Sequence, residues 1–261
     1  MDSQSFDGLV ELYDETRSFD QRCFDSALDY LVERFPPHMY PNVFEPGIGT
    51  GRIAIPLAER GYRVTGVDVS SEMLDVLAHR LRESGQVHVS HQSGDATALP
   101  FGDGLFDMAI AVHLFYFISD WRKAADEMLR VVRVGNPLIL MHTGMGMEVP
   151  ALNSRYKELC AAHGHEIKSV GVAGTGEVIA YLESLGCRVE QIRDRWTWVS
   201  SISLDKAIGH LESRAYSFTA QTPDAVHLET VKTMRSELRE SGDVSAHADV
   251  PNQISLVVVT R

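Results

Sequence analysis

Glu45 heads the run "EPGIGTG", in which Gly47, Gly49 and Gly51 alternate directly after a short apolar stretch. Glycines so placed let a ligand approach backbone N–H groups that a side chain would screen. A second apolar stretch follows and closes on Asp68. The dinucleotide fingerprint G-x-G-x-x-G needs a third glycine for close helix–strand packing, and counted from Gly47 and Gly49 that place holds Arg52. A carboxylate at Glu45 repels a pyrophosphate and attracts an ammonium or a sulfonium. Asp68, at a strand tip, is suited to accept hydrogen bonds from both hydroxyls of a ribose. His113 and His142 end two later apolar stretches. If both stretches are strands of one sheet, both imidazoles point into the crevice beyond its carboxyl ends, where a proton could be taken from a reacting group. "HGHE", 163–166, lacks further ligands at a recognisable metal spacing, so no metal is expected.

The ligand described by these residues has a ribose, no phosphate and a positive charge near the loop. S-adenosylmethionine meets that description.

Elements must hold these residues in place. Strand patterns at 42–45, 62–68, 87–91, 106–113 and 137–142 alternate with helical patterns at 51–60, 71–83 and 121–134. Such alternation predicts a parallel sheet covered by helices. The signals at 5–35 are helical and end at "PPHMYP". Beyond His142 lie helical patterns at 151–162, 175–185, 203–213 and 223–240, an extended one at 188–199, and a last β-branched strand at 254–260. In "TPDA", Thr222 is expected to cap the last helix, with Pro223 at its first turn. Trp196 and Trp198 share one face of a strand, which reads as core packing.

The segment from Val43 to His142 resembles the class I S-adenosylmethionine-dependent methyltransferases, especially the small-molecule group. The resemblance rests on the glycine loop, on "VDVSSEML" (67–74), on "GDATALPFGDGLFD" (94–107), and on "AVHLFYFISDWRKAADEMLRVVRVGNPLIL" (111–140), in that order. The chain departs from the family at Asn136-Pro137, where a glycine pair is frequent. The resemblance implies an α/β fold, a Rossmann-like seven-stranded doubly wound sheet with its last strand antiparallel and an added helical cap. It makes Asp95 the acceptor for the adenine amino group and Ala96 a backbone contact beside it. Val69 and Leu99 would sandwich the ring, or either would simply be core. Tyr13 and Arg17 would sit on lid helices, Arg17 pairing with the methionine carboxylate. A single domain over 1–261 is expected, with lid helices at 5–35, a cofactor core at 42–142, cap and substrate elements at 143–249, and the final strand at 254–260. In "SRAYSFTAQTPD", 213–224, aromatic residues alternate with hydroxyls, the composition of a pocket wall. Tyr216 and Arg214 are therefore expected to face the acceptor.

Of the 261 residues 44% are hydrophobic, enough for a substantial core. The net charge of −12 argues against nucleic acid and an anionic membrane as partners. Three scattered cysteines and an acidic N-terminus without an apolar signal core suit a cytoplasmic protein. The function expected is methyl transfer to a small-molecule acceptor. A non-catalytic cofactor-binding partner protein is the alternative, and a nicotinamide-dependent oxidoreductase a weaker one, disfavoured by Glu45 and Arg52.

Overall fold

Nearly unbroken apolar stretches build the middle of the sheet. The computed structural model describes residues 19–144, 146–242 and 245–261. Strands β1 (Asn42–Pro46), β2 (Arg63–Asp68), β3 (Val89–Ser93), β4 (Met108–Val112) and β5 (Pro137–His142) run parallel. β4 and β5 bury almost every residue, as strands covered on both faces do. The order across the sheet is β3-β2-β1-β4-β5-β7-β6. The last strand, β7 (His247–Thr260), lies antiparallel between β5 and the long β6 (Arg188–Ser203). The seven-stranded sheet with an antiparallel last strand is thus as expected, although β7 begins seven residues before the strand pattern at 254–260.

Chain direction across the sheet reverses between β1 and β4: connections from β1 run one way to β2 and β3, and those from β4 run the other way to β5. A crevice opens at the carboxyl ends of strands on either side of such a switch. Glu45 and the glycine loop stand on one side of it, Val112 and His113 on the other.

Helices α1 (Gln21–Arg34), α2 (Ala54–Glu59) and α3 (Ser71–Ser84) cover one face. α3 starts at Ser70, whose hydroxyl accepts from Met73 N–H, and stops at Gly85 in the left-handed conformation. The opposite face is covered by α4 (Trp121–Val131) and, after α5 (Pro150–Ala162) has departed, by α6 (Thr175–Ser184). α5, α7 (Leu204–Glu212), the one-turn α8 (Ser217–Ala220) and α9 (Asp224–Glu240) pack around their own apolar cluster of Tyr156, Tyr216, Val231 and Met234. This is the helical cap.

Two expectations change here. Part of the segment read as a lid, 21–34, covers the sheet instead. Phe24, Ala27, Leu28 and Leu31 form one apolar stripe, buried with Trp196, Ile254 and Leu256 of β6 and β7. Thr222 does not cap α9. Pro223 occupies the cap position with extended ψ of 141°, and the Thr222 hydroxyl donates to Phe218 O at 3.0 Å. Among the described residues no helix is long and apolar enough to cross a membrane.

Candidate active site

The glycine loop is strapped to β2. Gly47 and Ile48 N–H both donate to Val67 O, at 2.8 and 3.0 Å, and Gly51 N–H closes the turn on Ile48 O. Gly49 N–H donates to Asp68 Oδ2 at 2.8 Å, while Asp68 Oδ1 accepts from Ser70 N–H at 2.9 Å. Asp68 therefore holds both the loop and the entry to α3. A carboxylate oxygen can accept more than one hydrogen bond, so the group is suited to receive ligand hydroxyls as well. Gly49 has φ +53°, and a Cβ there would meet nothing nearer than Gly47 O at 3.9 Å. The left-handed backbone requires glycine, and the space beside it is left to a ligand.

Glu45 is 2% exposed and accepts from Ala54 N–H at the start of α2. Its Oε2 has no hydrogen-bond partner among the described residues. Burial, reinforced by Asp68 close by, pushes its pKa well above the usual carboxylate range. A buried acceptor left without a donor is costly, and a ligand ammonium would satisfy it. Phe19, Glu45, Gly49, Arg52 and His113 line the cleft at this point. The Arg52 guanidinium lies 4.8 Å from the centre of the Phe19 ring, so the place of the missing third glycine is filled by a cation–aromatic contact.

On the far side of β2, Val69 is 41% exposed at the strand tip, whereas Leu99 is buried in the core. Asp95 Oδ1 accepts from Thr97 N–H and Thr97 Oγ1, both at 2.8 Å, and Ala96 is buried beside it. The loop is held from α4. Glu127 Oε2 accepts from Leu99 N–H at 2.7 Å, and Arg130 bonds Glu127 and the carbonyls of Leu99 and Phe101. Both partners sit three residues apart on one helix face, a spacing that marks a pair but not its target.

A second cavity, of about 300 Å³, adjoins the first and shares His113 as its wall. His142, Thr175, Arg193, Gln253 and Ser255 complete much of its lining. Thr143 N–H donates to His113 Nε2 at 3.1 Å, so that nitrogen carries no proton and its lone pair is already engaged. His142 Nε2 and Thr175 Oγ1 are 2.6 Å apart, and Thr175 bonds Tyr116 OH at 3.1 Å. The two imidazoles meet edge to face at 5.0 Å. Burial, with Arg193 adding to it, lowers the His142 pKa to about 4.

Residues 44–140 match the family described as a methyltransferase domain. Over these residues the chain carries a methyltransferase domain, of the kind found in the class I S-adenosylmethionine-dependent methyltransferases. A demethylmenaquinone methyltransferase of Thermus thermophilus is 34% identical over 117 residues, covering 44% of this chain and 51% of that protein. The uncharacterized methyltransferase YcgJ of Bacillus subtilis is 32% identical over 136 residues, 52% of this chain and 53% of YcgJ. The chain thus spans about half the length of these curated relatives. The crystal structure of YcgJ superposes with a TM-score of 0.60 over 90% of this chain and 98% of its own, at 20% identity. That of the [4+2]-cyclase SpnF gives 0.57 over 94% and 84%, at 19% identity. At such identities the likeness is one of fold.

Within this methyltransferase fold, Glu45, Gly47, Gly49, Gly51 and Asp68 come together in one cradle, with Val69, Asp95 and Ala96 along its β2–β3 flank. Tyr13 and Arg17 lie outside the described residues. At the two histidines expected as general bases, Thr143 N–H donates to His113 Nε2, and burial lowers the His142 pKa to about 4, which makes it a weak base at neutral pH. The expectation for Tyr216 and Arg214 is corrected. Tyr216 is 2% exposed and stacks on Phe218 inside the cap, and Arg214 bonds Thr219 O, Thr222 O and Asp224. The second cavity is walled instead by Thr175, Arg193 and β7, none of which stands in a recognisable motif.

The acid sensitivity of the fold should report on His142. An imidazole whose pKa falls from 6.5 unfolded to about 4 folded supplies stability that is complete above pH 6.5 and is lost as pH falls through 4. The shift is worth about 3 kcal/mol. Urea midpoints at pH 7.5 and 4.5 should therefore drop less in His142→Gln than in the wild type. An equal drop in both proteins would show that His142 is not held neutral.

Proposed function

We propose that this chain transfers the methyl group of S-adenosylmethionine to a small-molecule acceptor seated in the cavity beside His142. One observation carries this reading: His113 walls both the glycine-loop cleft and the second cavity, so molecules in the two meet across one side chain. When bound, the cofactor supplies a methyl group activated by positive sulfur. Asp68 receives the ribose hydroxyls, Glu45 faces the ammonium end, and Asp95 and Ala96 meet the adenine edge, with Val69 against its face. Tyr13 and Arg17 keep their proposed place over the cofactor.

His113 and His142 act in this reading as fixed walls rather than proton acceptors. Thr143 and Thr175 lock their rings, so the acceptor is aligned by shape. Such alignment contributes several kcal/mol, on the scale of well-oriented intramolecular reactions. With both imidazoles engaged, an acceptor proton would leave to water. The apolar side chains of Leu114, Phe115 and Val178 next to the histidines would keep the surroundings of the transferred group poor in water. With a net charge of −12 and three free cysteines, the protein suits a cytoplasmic setting and a small acceptor rather than nucleic acid or membrane.

Calorimetry should show binding of S-adenosylhomocysteine and none of NAD at matched concentration. Methyl-labelled S-adenosylmethionine, incubated with candidate acceptors, should then yield labelled product. Preferential NAD binding would overturn the cofactor assignment. Cofactor binding without transfer to any acceptor would favour the non-catalytic partner protein.

A further inference from the structure

The row of residues across the carboxyl end of the sheet has a feature that methyl transfer alone does not require. His142 of β5 pairs with Ser255 of β7. On the other side of β7, Ile192 pairs with Leu256 and Trp196 with Ile254, so three residues of β6, Arg193 to Arg195, stand opposite Ser255 alone. The bulge turns on Asp194, whose φ is +59°. Bulges of this kind re-aim side chains beside active sites. Here Ile192 and Trp196 both keep to the apolar face, and Arg193 joins His142, Thr175, Gln253 and Ser255 in lining the second cavity.

Among the described residues that line the cavity, Arg193 is the one full cation and none is Asp or Glu. Its hydrogen-bond partner among the described residues is the neutral Gln191. No carboxylate is within ion-pair distance of it among the described residues, although acids outnumber bases 36 to 24 in the chain. A lone guanidinium in a cavity without acids is a site for an anion, and its planar fork matches a carboxylate. Burial keeps His142 neutral, so it does not compete for an anion. The methionine carboxylate of the cofactor is not the partner. From β1, which carries the glycine loop, β6 is four strands away, roughly 19 Å at the usual spacing. From β5 it is only two strands away, within the reach of an arginine side chain.

We infer that the cavity beside His142 recognises acceptors that carry a carboxylate, gripped by Arg193 at the β6 bulge. The inference rests on the proposed function, and its test separates the two. The probes are benzoate, its neutral isostere benzamide, and phenyl phosphate, each titrated by ligand-observed NMR into protein saturated with S-adenosylhomocysteine. Benzoate should bind about tenfold or more tightly than benzamide, the scale of a charge-assisted pair, and more tightly than phenyl phosphate. Arg193→Gln should abolish the preference over benzamide, and Arg193→Lys should restore part of it. Affinity for S-adenosylhomocysteine should stay within about twofold in both variants, because the cradle is four strands away. Equal binding of benzoate and benzamide, no saturable benzoate binding, a preference for phenyl phosphate, or a preference that survives Arg193→Gln would each overturn the inference. If instead the wild type fails to bind S-adenosylhomocysteine, it is the cofactor reading that falls.

Discussion

Asp68→Ala should weaken S-adenosylhomocysteine binding by about 1.5–3 kcal/mol, roughly a ten- to hundred-and-fiftyfold rise in Kd. Two losses combine. The ligand hydroxyls lose a charged acceptor, and Gly49 N–H loses the partner that holds the loop at 2.8 Å. The second loss means the cradle is no longer pre-organised, so part of the binding energy goes into ordering it. Stability should suffer less. The two N–H groups released, those of Gly49 and Ser70, stand at a part-buried loop that water can reach. A fall of about 1 kcal/mol in unfolding free energy is expected, on the scale of one net hydrogen bond. Calorimetry for the ligand and urea unfolding for the fold separate the effects. Unchanged affinity in a folded Asp68→Ala protein would remove Asp68 from the cofactor site.

Gly66→Ala should have a larger effect on stability than Asp68→Ala. A Cβ at Gly66 would lie 2.4 Å from Ile48 Cδ1, 2.6 Å from Ile48 Cβ and 2.8 Å from Glu45 O. Ile48 could shift its end carbon, but its Cβ and a carbonyl paired within the sheet have no such freedom. Overpacking of this kind costs about 1–3 kcal/mol, and the backbone contact places Gly66→Ala at the upper end. The strain falls on the loop itself, because Ile48 N–H is anchored on Val67 O next to Gly66. Cofactor affinity should therefore fall along with stability. Gly85→Ala is the matched control. Gly85 has φ +65° at the end of α3 and nothing within 4 Å of a Cβ, so it should lose only about 1 kcal/mol and leave ligand binding intact. Should the two variants unfold at the same urea concentration, β1, β2 and the loop are less tightly packed than the distances imply.

Gly66 also shows what is legible in a chain and what is not. A glycine inside the strand pattern "RVTGVD" announces a close approach of backbone or ligand. It does not say to what, because Ile48 is distant in sequence. The same division runs through the whole molecule. The run from β1 to β5 is legible in the chain alone, because strand, turn and helix signals there are local: apolar periodicity, the Ser70 cap, Gly85 at the stop, and alternating glycines before α2. The grouping of Glu45, the glycines and Asp68 is legible as well, since they sit at strand ends and parallel pairing brings strand ends together. Everything beyond His142 depended on partners far along the chain. The composition of 213–224 suits a pocket wall and a cap core equally, and only packing against Tyr156 and Phe218 decided that Tyr216 is core. The apolar stripe of α1 could have closed over a ligand; the exposed face of β6 and β7 claimed it. The engagement of His113 by Thr143 came from the register of β4 on β5, and the aim of Arg193 from strand ends that meet only when β7 slots antiparallel between β5 and β6. Register between strands is set by side-chain packing across the assembled sheet, so no local pattern in the chain carries it.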